Sequence, residues 1–374
     1  MMSIELVATC AAGVESLVNQ ELKTLGYKTQ SENGRVRFTG DTYAIAETNI
    51  NLRTADRIKI VMGDFPATTF NALYEQTKAI EWEAWLPMDA NFPVSGKSIK
   101  SKLHATPTVQ KMVKKAIVDR LNRYYHHNGH LPETGAEYAI DVRLYKDKVF
   151  ITLDTSGESL FKRGYRQEKG GAPLKENLAA ALVDLTTWHA DRPFYDPTTG
   201  SGTIAIEAAM KGMHIAPGLK RAFSAENWDV ITNEFQLARE KATDAIDHDV
   251  QLNILACDID HRMIAIAKQN SIAAGVDHQI TFKQMQVADF TTTEQFGIIV
   301  SNPPYGERLK DQDYAHTLYE QMGAIYNTLP TWSKYILSSD PNFETYYGEK
   351  ATKKRKLYNG ALRTDYYQYW GKRH

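Results

Sequence analysis

Apolar positions recur along this chain with two different periods, and each change of period marks an element. The start, Met1-Met2-Ser3-Ile4-Glu5-Leu6-Val7, reads as a strand. Val14, Leu17, Val18, Leu22 and Leu25 then return at helical spacing, with Gly26 placed to cap the helix end. Arg35-Val36-Arg37-Phe38 alternates like a half-buried strand, residues 41–52 read as helix, and 58–61 and 92–94 as further strands with a helix over 70–85 between them. Thr106 and Pro107 predict a helix cap followed by a proline at the first helical position. That helix would bury Val109, Met112, Val113, Ala116, Ile117 and Leu121. Alternation at 138–144 and 148–154 predicts a hairpin turned at Lys146-Asp147, which closes a small α+β unit.

Beyond it the pattern changes. Gly170-Gly171-Ala172-Pro173 signals a hinge, and Pro173 opens a helix whose Leu174, Leu178, Ala181, Leu182 and Leu185 share a face. Strands ending near Asp196, Asp258, Gln284, Val300 and Ser339 then alternate with helices, the segment 212–250 reading as an insertion or a pair of helices. Asn359-Gly360 joins the last two strands, 353–358 and 362–370, in a hairpin. Strand–helix alternation of this kind predicts a Rossmann-like α/β domain, a mostly parallel sheet finished by an antiparallel hairpin, behind the α+β region. The expected division is 1–55, 56–156, a linker at 157–172, and 173–374.

Composition narrows this picture only modestly. A chain of 374 residues with 24% charged and 43% hydrophobic residues is ordinary for a globular protein of at least two domains. No apolar run approaches the roughly 18 residues of a membrane helix, the start lacks a basic leader, and there are only two cysteines, so a cytoplasmic protein is expected. The net charge of -1 places any nucleic-acid contact in a local patch. Lys97, Lys100, Lys102, Lys111, Lys114 and Lys115 are candidates for that patch, against the alternative of a solvated helix face. Arg163 and Arg166, on either side of Tyr165, could reach RNA or line an interdomain seam. No Cys or acid stands at ligand spacing beside His126, His127 and His130, so no metal site is expected. A monomer and a homodimer both stay open.

The chemistry concentrates in two loops at strand ends. Asp196-Pro197-Thr198-Thr199-Gly200-Ser201-Gly202-Thr203 runs from a strand through a tight glycine turn into a helix, a close-approach pocket for a nucleotide-like ligand. It lacks the Gly-Lys-Ser/Thr of a phosphate loop, and the acid expected about 20 residues on for a dinucleotide is missing. Asp196 would repel a pyrophosphate and suits a cation such as a sulfonium, which points to S-adenosylmethionine. Asp258, followed by Ile259, is the next strand-end acid. Asp289 is placed to accept from an adenine amino group while Phe290 packs on the ring. The second loop, Ser301-Asn302-Pro303-Pro304-Tyr305-Gly306, follows a short β-branched strand. Its two prolines stiffen it and remove two donors, leaving the Asn302 side-chain oxygen and a carbonyl to hold an amine and Tyr305 to stack a base.

Asp196-Pro197-Thr198-Thr199-Gly200-Ser201-Gly202-Thr203, Asp258, Asp289 and Asn302-Pro303-Pro304-Tyr305, in this order, resemble class I S-adenosylmethionine-dependent methyltransferases that modify exocyclic amines. Pro173-Leu174-Lys175-Glu176, Pro217-Gly218-Leu219-Lys220-Arg221, Lys356-Leu357-Tyr358-Asn359-Gly360 and the amino half, which resembles a ferredoxin-like segment plus a THUMP RNA-binding domain, narrow the likeness. It is to the bacterial 23S rRNA guanine-N2 methyltransferases. The resemblance implies that Asp196, Pro197, Thr199, Gly200, Ser201, Gly202 and Thr203 surround the methionine part, Asp258 and Ile259 the ribose, and Asp289 and Phe290 the adenine. It implies too that Asn302, Pro303, Pro304 and Tyr305 hold the amine, and that RNA, 23S rRNA or a large-subunit precursor, is the partner. The second catalytic half of the fused two-domain enzymes has no counterpart in this sequence. The alternatives are a tRNA guanine-N2 enzyme, an adenine-N6 enzyme acting on RNA or DNA, and a catalytically idle RNA-binding assembly factor.

Overall fold

A computed structural model describes residues 3–166, 174–305 and 309–372, without the side chains of 309–311. The expected hinge at Gly170 to Pro173 and the glycine closing the second loop, Gly306, lie outside the described residues.

The amino-terminal sheet contains β1 (Ile4–Thr9), β2 (Thr29–Glu32), β3 (Arg35–Gly40), β4 (Arg57–Pro66), β5 (Val94–Ile99), β6 (Ile140–Tyr145) and β7 (Lys148–Asp154), in the order β2-β3-β1-β4-β7-β6-β5. Four helices accompany it: α1 (Glu15–Thr24), α2 (Thr42–Asn51), α3 (Phe70–Ala79) and α4 (Thr106–Tyr124). The buried Leu17, Val18 and Leu22 of α1 and Val109, Val113, Ile117 and Leu121 of α4 are the apolar stripes that drive these helices onto the sheet. Only β5 pairs in parallel, with β6, and α4 is the crossover that such a pair requires. Lys97 therefore sits on an edge strand; the alternation Val-Ser-Gly-Lys-Ser-Ile carries too little apolar signal to announce one.

Several boundaries differ from expectation. The strand expected at 92–94 begins at Val94 and runs to Ile99. The helix from Phe70 stops at Ala79 because Ile80 is extended, and a short turn, Trp82–Ala84, then buries Trp82. Thr106 is the first helical residue of α4, with Ala105 at the cap position. β4 runs on to Pro66 because a register shift between Val61 and Gly63 carries it along β7.

The second half contains α5 (Glu176–Asp184), β8 (Phe194–Asp196), α6 (Thr203–Gly212), α7 (Glu234–Asp244), β9 (Ile254–Asp258), α8 (His261–Ala274), β10 (Ile280–Gln284), β11 (Ile298–Ser301), α9 (Leu309–Tyr326), β12 (Ser333–Ser338), α10 (Phe343–Tyr347), β13 (Lys353–Asn359) and β14 (Leu362–Tyr369). The strand order is β10-β9-β8-β11-β12-β14-β13, parallel from β10 to β12, with β14 antiparallel to β12. This is a Rossmann-like α/β sheet. The chain works outward from β8 through β9 to β10 and then crosses to β11 on the other side, so the order reverses between β8 and β11. Ligands bind outside the carboxyl ends of strands at such a reversal, and Asp196 and Ser301 end those two strands.

Part-buried hydrogen bonds and an aromatic stack lock the halves together. Asn177 Nδ2 donates to Asp56 Oδ1 at 2.7 Å, and the Arg53 guanidinium to the Ile215 carbonyl at 2.5 Å. Trp228 stacks on Tyr138 with ring centroids 4.7 Å apart. At the far edge, Arg355 of β13 donates to the Gly13 carbonyl at 2.6 Å and to Ser16 Oγ at 2.9 Å.

Candidate active site

The two loops singled out in the sequence meet at the strand-order reversal. Thr198 Oγ1 and Ser301 Oγ are 2.9 Å apart, tying the glycine loop to the loop that follows β11. Between them opens a cleft of about 370 Å³ lined on one side by Pro197, Thr198, Gly200, Asp258 and Ile259, and on another by Asn302 and Pro304. The remaining wall comes from Met285, Gln286 and Val287 after β10 and from Tyr314, Thr317, Leu318 and Gln321 of α9. Among these lining residues Asp258 carries the sole charge, and no Lys, Arg or His is present. A phosphate would find no counter-ion among them, whereas a neutral nucleoside or a cation fits.

The glycine loop owes its shape to left-handed backbone. Gly200 has φ +52° and Gly202 φ +86°; at Gly202 a Cβ would lie 3.0 Å from that of Ala267, so the turn also needs the space. The Gly200 amide donates to Asp258 Oδ2 at 3.0 Å and the Asp260 amide to Asp258 Oδ1 at 2.9 Å, which fixes the carboxylate at the cleft. Asp196 stands behind the loop, fully buried. Its Oδ2 accepts from Thr199 at 2.8 Å and its Oδ1 has no partner. Burial pushes the Asp196 carboxyl up to about 7, with the Asp258 charge adding to the effect. Asp196 thus backs the glycine loop from outside the described cleft lining, and Asp258 supplies the negative charge within it that suits a cationic ligand. Ser201 and Thr203 are buried and support the loop: Asn270 Nδ2 donates to the Ser201 carbonyl at 2.9 Å and the Arg166 guanidinium to Thr203 Oγ1 at 2.8 Å.

In the second loop, Pro303 is buried, Asn302 and Tyr305 are partly exposed, and the Tyr305 hydroxyl donates to Asn302 Oδ1. The Pro304 carbonyl accepts from Tyr319. Thus two acceptors of the loop already have protein partners.

Several expected site residues lie elsewhere. Phe290 does not face the cleft: it is buried with its ring stacked on Tyr195 at 3.9 Å and edge-on to Trp332, filling the core on the other side of the turn. Asp289 is exposed in that same turn. Arg163 is corrected as well. At 3% exposure it pairs with the buried Glu207 and donates to the Leu160 carbonyl, so it belongs to the seam between the halves and cannot meet RNA. Arg166 likewise points inward, to Glu176 at 3.5 Å and to Thr203. Lys97, Lys100, Lys102, Lys111 and Lys115 are exposed, whereas Lys114 is held by Glu133 at 2.7 Å and by the Phe92 carbonyl. The α9 wall has no counterpart among the expected site residues. Its signal is present all the same, since 314, 317, 318 and 321 fall on one helical face.

Comparison with known proteins agrees with this construction. Residues 163–368 match the RMKL-like methyltransferase domain, 5–59 the RlmL ferredoxin-like domain and 67–154 the THUMP domain. The chain is 52% identical over its full length to "Putative RNA methyltransferase YpsC" of Bacillus subtilis, covering 97% of that protein. It is 32% identical over 96% of its length to "Ribosomal RNA large subunit methyltransferase K/L" of Cellvibrio japonicus, of which it spans 50%. A Listeria monocytogenes structure described as a "predicted N6-adenine-specific DNA methylase" is 54% identical, with TM-score 0.96 and coverage of 100% of this chain and 97% of that one. SMU.472, described as "a putative methyltransferase complexed with SAH", is 48% identical with TM-score 0.95 and full coverage of both chains. The chain belongs to the RMKL-like methyltransferase family, its methyltransferase domain following an RlmL-type ferredoxin-like unit and a THUMP domain.

Proposed function

We propose that this chain is an S-adenosylmethionine-dependent RNA methyltransferase whose acceptor is an exocyclic amine, N2 of a guanine in 23S rRNA or its large-subunit precursor. The observation that carries the reading is the meeting of the Asn302 loop with the glycine loop around a cleft whose described lining holds no cationic side chain. The names of the Bacillus and Cellvibrio relatives and the SAH complex of SMU.472 support it.

When bound, S-adenosylmethionine supplies a methyl group on a positively charged sulfur. Asp196, with Gly200 and Gly202, would face its cationic end, Asp258 and Ile259 its ribose, and the Met285 to Val287 and α9 walls its adenine. The amine has two N–H groups to place. Asn302 Oδ1 takes one, displacing the Tyr305 hydroxyl that now occupies it. Because the Pro304 carbonyl is engaged by Tyr319, the Pro303 carbonyl is assigned the other. With both hydrogens held, the nitrogen lone pair is aimed at the cleft, and positioning of this kind supplies several kcal/mol of the barrier. Tyr305, freed, stacks on the flipped base, and the amine's surplus proton leaves to solvent after transfer. Lys97, Lys100, Lys102, Lys111 and Lys115 hold RNA phosphates.

Incubation with labelled cofactor and undermethylated large-subunit RNA, followed by nucleoside mass spectrometry, tests this. Label on guanine N2 is expected, and Asn302→Ala should abolish it while leaving cofactor affinity within about 3-fold. The description of the Listeria structure favours a second reading, adenine N6; label on adenine, or on DNA alone, would establish it and sink the first.

A further inference from the structure

We propose that the tip of the β13–β14 hairpin is a contact surface for single-stranded RNA, gripping the substrate a few nucleotides from the base being modified. The inference rests on the RNA reading above. Three observations place the tip.

Ser301 of β11 pairs with Ile336 of β12, and Ser338 of β12 with Asp365 of β14, so the carboxyl ends of β11 and β12 and the amino end of β14 share one end of the sheet. The hairpin turn, joining Asn359 to Leu362, projects from that same end, beyond the level of the Asn302 loop. β13 stands three positions from β11 in the strand order, roughly 14 Å at about 4.8 Å per strand, and the tip rises roughly 10 Å above Asp365 at about 3.4 Å per residue. A strand whose target base is flipped into the cleft passes within reach.

The chemistry at the tip suits nucleic acid. Lys356 is exposed, makes no ion pair among the described residues, and holds its ammonium 5.2 Å from the centre of the Tyr358 ring. The Arg363 side chain is 64% exposed, with Asp365 as a loose neighbour at 3.7 Å. Leu362 beside it is an exposed apolar side chain. Lys356, Tyr358 and Arg363 share one face of the hairpin, Arg363 directly across from Tyr358 and Asp365 across from Lys356, whereas Leu362 lies on the other face. Two cations beside one aromatic ring offer phosphate contacts and a surface for a base.

The strand that carries the tip is anchored below it. Arg355, between Lys354 and Lys356, points the other way and grips the Gly13 carbonyl and Ser16 of the amino-terminal unit. An anchored strand leaves less of the hairpin to be ordered on binding.

The competing account is that a basic edge strand merely keeps sheet edges from pairing. That role would fall on Lys353, at the far end of β13 from the tip, as much as on Lys356. The two accounts therefore part on which lysine matters.

The test uses the full chain and the large-subunit RNA of the methylation assay, with RNA binding by filter retention at several salt concentrations and turnover at saturating cofactor. For Lys356→Ala with Arg363→Ala, RNA Kd and KM should rise about 10-fold. The slope of log K against log salt should flatten by about 1.4, two single-strand contacts at about 0.7 each. Cofactor Kd should not change, and Lys353→Ala should behave as wild type. An active wild type with an unchanged double variant overturns this inference alone. So does a Lys353→Ala effect equal to the double variant's, which marks an edge-protecting role. A wild type that neither binds nor methylates RNA overturns the RNA reading, and this inference with it.

Discussion

The Tyr319 hydroxyl donates to the Pro304 carbonyl at 3.0 Å and lies 3.4 Å from Ser338 Oγ, so one fully buried side chain of α9 joins the Asn-Pro-Pro-Tyr loop to the end of β12. Burial pushes the phenol up to about 12, keeping it a donor at any working pH. Tyr319→Phe keeps the ring packed against Phe343 and frees the peptide that sets Tyr305. A hydrogen bond of about 1–1.5 kcal/mol lost from positioning corresponds to roughly 10-fold in kcat. Steady-state kinetics should show that fall with cofactor Kd unchanged; a stability loss with normal kcat would refute the positioning role.

Cofactor binding should respond to pH through Asp196. Its carboxyl is raised to about 7, so it is largely protonated below that value and ionised above it. A cationic ligand favours the ionised form, so its Kd should fall as pH rises from about 6 to 8. The effect on the free fold runs the other way: a raised carboxyl contributes stability that is complete below its unfolded value near 3.8 and lost as pH climbs through about 7. Titration calorimetry should find tighter binding at pH 8 than at pH 6 for the wild type and a flat profile for Asp196→Asn. A wild-type profile that is already flat would show that this carboxylate does not face the ligand.

Gly202→Ala and Gly200→Ala separate the two demands on the glycine loop. At Gly202 the left-handed φ and the close Ala267 methyl act together, and a loss of about 2–3 kcal/mol is expected. At Gly200 the nearest atom to an added Cβ is 3.9 Å away, so the loss should be about 1 kcal/mol, from φ alone. Thermal denaturation ranks them, and equal losses would mean that contact with α8 contributes nothing.

Arg163 should matter for folding and not for RNA. Arg163→Ala leaves the Glu207 carboxylate, at 1% exposure, without its cationic partner and with the Tyr165 hydroxyl still donating to it, which costs about 3–5 kcal/mol, whereas Arg163→Met with Glu207→Leu should recover part of it. Urea unfolding checks the stability. RNA Kd of the double variant, measured where it is fully folded, should equal that of wild type.

Local signals make the two loops of the candidate site legible in the amino-acid sequence. The turn at Gly200 and Gly202, the strand-end acids and the Asn302 loop each declare themselves within about ten residues. What stays hidden there depends on contacts between distant segments. Arg163 finds Glu207 from 44 positions away, so its burial has no local trace. Phe290 follows a strand-end acid, and nothing nearby says which side of the sheet its ring will enter; Tyr195 and Trp332 decide that. The α9 wall has the spacing of any amphipathic helix, and only the neighbouring turn at Met285 and Gln286 turns that face into a pocket. β5, rich in Ser, Gly and Lys, becomes a strand because β6 offers it an edge.

Arg355 reaching back to Gly13 has a consequence for how the molecule is made. On the ribosome the amino-terminal sheet can pair its strands long before residue 355 is synthesised, yet the clasp over its first loop cannot close until then. A nascent chain therefore carries an unfinished seam through most of its synthesis. The clasp can close only after both loops of the candidate site have been synthesised, so the seam of the amino-terminal unit is the last to be completed.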